Sequence, residues 1–208
     1  MLQIIPALLV AITVVIQCLA VQMSRYRLSR MNARPPHHGL ALMSGMLAAA
    51  AIILRLYQND SAVGVLFMTI MTGCMPLMTL TDAASCRLPR PFTIMYLISG
   101  SAFRLWQGDW LTGLCSAGFW FLLLLLFRQY TSYRRKTETI GLGDVFLIAG
   151  IAIWSPPGDI PWIVATAAGG ALLYLWCNRQ RRITRELPFG PFLCASQYAF
   201  TFYPGGLW

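Results

Sequence analysis

A chain of 208 residues that carries only seven carboxylates allows each one to be weighed in turn. Asp60, Asp109 and Asp159 lie in Gln-Asn-Asp-Ser, Gln-Gly-Asp-Trp and Pro-Gly-Asp-Ile, which are ordinary turn sequences. Glu138 and Glu186 stand among arginines, where a solvated ion pair is the default. Asp82 and Asp144 remain, and each borders or enters an apolar run. An ionisable side chain at membrane depth is costly to desolvate and marks a functional candidate. Singly, each also has a structural role open to it. Asp82 can be a helix-end carboxylate paired with Arg87, and Asp144 a first-turn acid favoured by the helix dipole. Held together, two carboxylates supply both partners of general acid–base chemistry, because like charges in close contact do not both ionise.

Other chemistry finds little support. The six cysteines, Cys18, Cys74, Cys86, Cys115, Cys177 and Cys194, include no Cys-x-x-Cys pair and mostly fall in apolar runs. They read as small buried apolar side chains. His37 and His38 are adjacent but have no nearby Cys or acid to complete a metal set. No metal and no cofactor are expected.

The elements that must position the two acids are apolar. Hydrophobic residues make up 57% of the chain and charged residues 11%, with mean hydropathy +0.61. A soluble domain carries about a quarter charged residues, so too little polar surface remains to cover a globule in water. Apolar runs fall near residues 2–23, 39–57, 62–80, 92–107, 110–127, 143–154, 161–177 and 189–203. About eight such segments predict an all-α polytopic membrane bundle, a single domain over residues 1–208. The run at 143–154 is the shortest, so seven spans remain an alternative to eight. The first run lacks a basic segment before it, and a retained helix is expected rather than a cleaved signal.

The net charge of +9 is distributed as a topology signal. Fourteen of the sixteen Lys and Arg residues lie in the odd-numbered connections, in clusters beginning at Arg25, Arg87, Arg128 and Arg179. The even connections are short and carry Asp60, Asp109 and Asp159. Basic connections face the cytoplasm, which puts the N-terminus outside and both Asp82 and Asp144 on the cytoplasmic side. Arg55 and Arg104, near the far ends of their runs, can snorkel to the opposite interface. The arginines therefore argue for contact with the lipid bilayer and against a nucleic-acid surface.

Three motifs lie downstream. The stretch Thr81-Asp82-Ala83-Ala84-Ser85-Cys86-Arg87-Leu88-Pro89-Arg90-Pro91-Phe92-Thr93 has Pro89 seven positions after Asp82, and Thr93 four further on. Gly141-Leu142-Gly143-Asp144 is a Gly-x-Gly-Asp sequence, and Pro188-Phe189-Gly190-Pro191 opens the last run. In type, order and spacing this set resembles the type IV prepilin peptidases, a family of Gly-x-Gly-Asp membrane aspartyl proteases. The resemblance implies that Asp82 and Asp144 are the catalytic pair. It also implies that Gly141, Gly143, Pro89, Pro188, Gly190 and Pro191 shape the site, with a prepilin or pseudopilin as substrate and the bacterial inner membrane as location. There are departures. Phe146 stands where the family often has Lys, and Arg90 where it often has Asn or Asp. The first cytoplasmic connection, residues 24–38, lacks the Cys-x-x-Cys domain that many relatives carry there and that is linked to N-methylation. The resemblance thus implies a peptidase of a short form, without support for methyltransferase activity or zinc.

For hydrolysis by such a pair, the ionised carboxylate takes a proton from water, and the protonated one polarises the scissile carbonyl and then serves the leaving amine. The glycines can allow close approach of substrate backbone or simply punctuate a loop before a helix. Pro188 and Pro191 can line a cavity or merely start a helix. Other readings of the whole chain are a related intramembrane aspartyl protease with another substrate, a transporter or assembly scaffold, and a degenerate, inactive peptidase. Which Asp is base, which pilin is cut and whether the chain self-associates are open from the sequence.

Overall fold

A computed structural model describes residues 61–135 apart from Arg87 and Pro89, residues 141–177 and 187–201, and isolated helical residues between 11 and 53. Outside the described residues lie Arg87 with its suggested pairing to Asp82, Pro89, His37, His38, Arg55, Asp60, Glu138 and Glu186. The basic clusters around Arg25 and Arg179 and the tail after Thr201 also lie outside them.

The described chain is all-helical: α1 (Ala62–Ser85), α2 (Arg90–Gln107), α3 (Trp110–Arg135), α4 (Leu142–Trp154), α5 (Ile160–Cys177) and α6 (Gly190–Thr201). These correspond to the third to eighth apolar runs. Among the described residues three helices are long and apolar enough to cross a membrane: α1, α3 and α5. With 13 residues in α4 and 12 in α6, these two cover roughly 20 and 18 Å, short of a hydrocarbon core of about 30 Å. Short helices that begin inside a bundle leave their N-terminal N–H groups at depth, where something must meet them.

α1 starts on Ser61, whose hydroxyl accepts from the Gly64 N–H at 3.2 Å. It runs past the apolar stretch to Ser85, which brings Asp82 inside the helix, and it ends with Cys86 in the left-handed region at φ 50°. Pro76 lies within α1. Proline has no N–H to give the carbonyl four residues back, here that of Thr72, and the Tyr198 hydroxyl of α6 donates to that oxygen at 3.1 Å. The helix threonines satisfy their own hydroxyls: Thr69, Thr72 and Thr81 donate to Val65, Met68 and Leu77 carbonyls.

α1, α2, α4 and α6 surround the main core. Met71, Met75 and Met78 of α1 pack there with Tyr96 and Phe103 of α2, Leu147, Ile151 and Trp154 of α4, and Leu193 and Tyr198 of α6. α2 and α6 each pack against both α1 and α4, whereas α1 and α4 make no close backbone approach to each other among the described residues. α3 and α5 flank this group and turn large apolar side chains outward, including Phe119, Leu122, Leu126, Trp162, Leu172 and Trp176. In water so much exposed apolar surface would drive association; against lipid tails it costs nothing. This chain is a membrane protein.

The far end of the bundle differs from expectation in two places. Arg104 does not snorkel outward. It is buried, donates through Nε to the Ile153 carbonyl at 2.8 Å and through a guanidinium nitrogen to the Ser155 carbonyl at 2.9 Å, and pairs with Asp109 at 3.3 Å. It thereby caps the C-terminus of α4, whose last carbonyls have no intrahelical partner. Asp109 is accordingly an ion-pair residue as well as a turn former. Gly113 lets the Arg104 stem pass, since a Cβ there would stand 2.9 Å from Arg104 Cγ. The cysteines are divided: Cys74 and Cys194 are buried, Cys86 half-buried, and Cys18, Cys115 and Cys177 exposed on helix surfaces.

Candidate active site

Asp82 and Asp144 come together at one end of the four-helix group. α1 ends there, and α2, α4 and α6 all begin there. Three helix N-termini, with positive dipole character and N–H groups that a helix cannot pair within itself, thus face a region that holds two carboxylates.

Asp82 occupies the last turn of α1 and is 4% exposed. A carboxylate at a helix C-terminus meets the unfavourable end of its own dipole. The compensation comes from α6: the Gly190 N–H, first in that helix, donates to Asp82 Oδ2 at 2.8 Å. The residue before Gly190 is Phe189, whose carbonyl accepts from Phe192 and Leu193 N–H groups but whose side chain has no oxygen to cap with. Asp82 therefore acts as the missing N-cap of α6 from another helix. The approach demands glycine, because a Cβ on residue 190 would lie 2.8 Å from Asp82 Oδ2 and 3.3 Å from Asp82 Cβ. Pro191 follows in the first turn, where its missing N–H leaves nothing unsatisfied. Pro188 is half-buried in the connection just before.

Asp144 lies in the first turn of α4, after an N-cap Gly141 in extended conformation with no side-chain cap. Its N–H donates to the Gly141 carbonyl at 3.1 Å. Its carboxylate folds back over the cap residue, so that a Cβ on Gly141 would stand 3.3 Å from Asp144 Oδ2. This is the third helical position, from which an acidic side chain reaches the start of its own helix. Asp144 is half-buried, and it lies close enough to Asp82 for the charge on one to act on the other. Gly143 has a different task. A Cβ there would stand 2.8 Å from the Cβ of Leu88, so the α1–α2 connection sits directly on the start of α4 and ties the first motif to the second.

Thr93 is buried in α2 and donates to the Arg90 carbonyl at 2.9 Å, which uses its hydroxyl locally. Phe146 packs on Phe121 of α3 with ring centroids 5.3 Å apart. Two positions after Asp144 on a helix, it faces away from the acids. Among the described residues no group of three or more His, Cys, Asp or Glu is arranged to hold a metal.

Several residues around the site were not picked out from sequence. Cys194, one turn after Gly190, is hydrogen-bonded to Thr79 of α1 and lies within electrostatic reach of both acids. Leu88 has its contact with Gly143, and deeper in the bundle Tyr96 donates to Gln197. A sequence signal for the last existed: Gln197 is an amide in the middle of an apolar run, where a polar group without a partner is costly.

The family model of the type IV leader peptidases matches residues 69–176, just over half of the chain. The chain belongs to the type IV leader peptidase family. The matched segment includes both Asp82 and Asp144 and stops before Pro188-Phe189-Gly190-Pro191. Two curated relatives, each named prepilin leader peptidase/N-methyltransferase, come from Burkholderia pseudomallei strains 1026b and K96243. Each is 33% identical to this chain over 175 residues, which is 79% of this chain and 53% of the relative. The chain thus spans about half the length of the curated relatives it matches. No solved structure matches it.

Proposed function

We propose that this chain is a membrane aspartyl endopeptidase, a single domain over residues 1–208, that removes the leader from type IV prepilins or pseudopilins by two-carboxylate activation of water. The observation that carries the reading is that Asp82 and Asp144 lie within electrostatic reach of each other at the end of the bundle where three helices begin.

The pair holds one proton between its two carboxylates. The ionised member takes a proton from a water as the water oxygen bonds to the scissile carbonyl carbon. The protonated member donates to the carbonyl oxygen as charge develops there. When the C–N bond breaks, a carboxyl proton passes to the leaving amine, giving a leader with a new C-terminus and a pilin with a new N-terminus. No covalent intermediate is required. The Gly190 N–H engages one oxygen of Asp82, which leaves the other to work. The bare Gly141 backbone beside Asp144 gives an extended substrate room to approach.

The substrate assignment rests on family membership and on charge. Prepilin-type substrates carry a short basic leader ahead of an apolar helix. Arg90 at the start of α2 and Arg128, Arg134 and Arg135 near the end of α3 lie at the same end of the bundle as the acids. By the positive-inside rule that end faces the cytoplasm, where such a leader meets the inner membrane. Full crossing by eight helices with the N-terminus outside belongs to the same proposal. Methyl transfer does not, because residues 24–38 hold no cysteine pairs.

The test is co-expression with a prepilin, following leader removal by gel shift. Wild type is expected to process it, and Asp82→Asn and Asp144→Asn each to stop processing. Normal processing by either variant refutes the two-carboxylate mechanism.

A further inference from the structure

α1 and α4 carry the two acids but have no close backbone approach to each other; their spacing is transmitted through α2 and α6, each of which packs on both. α2 and α6 in turn have no close backbone approach to each other among the described residues. The four helices therefore form two crossing diagonals. Through the middle the Tyr96 hydroxyl of α2 donates to Gln197 Oε1 of α6 at 2.7 Å, with both residues fully buried.

Each end of that hydrogen bond is fixed to an acid-bearing helix. Tyr96 lies against α4, where a Cβ on Gly150 would stand 2.7 Å from its Cδ1. Its carbonyl also accepts from Trp154 Nε1 at 3.0 Å. Gln197 points its amide nitrogen at Met71 Sδ of α1, 3.9 Å away, and its neighbour Tyr198 bonds the Thr72 carbonyl of α1. On α6, Gly190, Cys194, Gln197 and Tyr198 repeat at helical spacing. They meet Asp82, Thr79, Met71 and Thr72 in antiparallel register. A shift of Gln197 is thus passed along a stiff two-turn segment to the Gly190 N–H.

We propose that the Tyr96–Gln197 pair is a cross-brace that positions the two carboxylates: Tyr96 sets α4 and with it Asp144, and Gln197 sets α6 and through Gly190 N–H the carboxylate of Asp82. Neither residue touches substrate. This inference rests on the peptidase reading for its kinetic test, and on geometry alone for its structural one.

The test uses the full chain in detergent and a synthetic peptide with a basic leader and an apolar continuation. Tyr96→Phe keeps the ring against Gly150 and removes the donor. Its kcat per folded molecule is expected to fall roughly tenfold or more, as misplacement of reacting groups does, with KM unchanged. The pH–rate bell is expected to narrow, because weaker coupling shrinks the range in which one proton is shared. Tyr96→Phe also leaves the Gln197 amide oxygen without its Tyr96 donor and lowers the melting temperature. The double variant Tyr96→Phe/Gln197→Leu removes both partners, which restores stability, while kcat is expected to stay low. Recovery of kcat in the double variant, or wild-type kcat in Tyr96→Phe, overturns the brace. A second readout does not need cleavage. Hydrogen exchange at the Gly190 amide is expected to speed up in Tyr96→Phe, and unchanged exchange overturns the brace. If wild type leaves the peptide uncut while Gly190 exchange responds, the peptidase reading fails and the brace stands.

Discussion

At the scale of single residues, the site is defined as much by missing atoms as by carboxylates. Gly190 combines a free N–H with an absent Cβ, and both are used on Asp82. Replacing it by Ala retains the N–H but forces Asp82 to move, since the new methyl would stand 2.8 Å from Oδ2. We expect Gly190→Ala to lower kcat on the order of a hundredfold with helix content by circular dichroism unchanged. Gly141 has more space, 3.3 Å to Asp144 Oδ2, so Gly141→Ala is expected to be the milder change in the same assay. Phe146 packs on Phe121 of α3, on a face of α4 turned away from Asp144.

At the scale of helices, the bundle repays its irregularities locally. Pro76 removes the N–H that would serve the Thr72 carbonyl, and Tyr198 supplies a donor from α6. Because the two act on one carbonyl, their effects should not add. Tyr198→Phe is expected to cost about 1 kcal/mol in wild type and less in a Pro76→Ala background, where the α1 ladder is complete. A double-mutant cycle on thermal stability in detergent reads the coupling; additive effects would show that Pro76 and Tyr198 are independent. Arg104 does for the end of α4 what Asp82 does for the start of α6: it meets backbone groups that the helix leaves unpaired. Arg104→Met keeps the apolar stem but orphans the Ile153 and Ser155 carbonyls. It is expected to cost about 2 kcal/mol or more, seen as a lower melting temperature, with the pH–rate profile of the folded fraction unchanged because the site lies at the other end.

At the scale of the whole molecule, apolar outer faces and a polar interior describe a protein whose solvent is lipid. α3 and α5 spend their large side chains on the outside, while hydrogen-bonded hydroxyls, amides and the two acids lie within. Alkaline carbonate washing of membranes is expected to leave the chain entirely in the pellet and detergent to release it. Recovery in the carbonate supernatant would contradict integration. Among the described residues Arg90, Arg128, Arg134 and Arg135 lie at the end of the bundle that holds both acids, so topology and chemistry reinforce each other in the peptidase reading.

What the sequence determined by itself follows from composition and spacing. Low charge and repeated apolar runs dictate helices in a bilayer, because a backbone in lipid must satisfy its own hydrogen bonds. Elimination among seven acids leaves Asp82 and Asp144 as the candidates, and the glycines and prolines beside them mark where helices start. Tertiary structure alone decided who satisfies whom. That Asp82 caps α6, that Gly143 seats Leu88, that Arg104 turns inward and that Tyr96 meets Gln197 across the bundle are contacts between residues 49 to 108 positions apart. Periodicity tells which face of a helix is apolar. It is silent on rotation and register between helices, and those two quantities choose the partner of every buried polar atom. Gln197 shows the limit: its place in an apolar run announces a needed partner, and only packing names Tyr96.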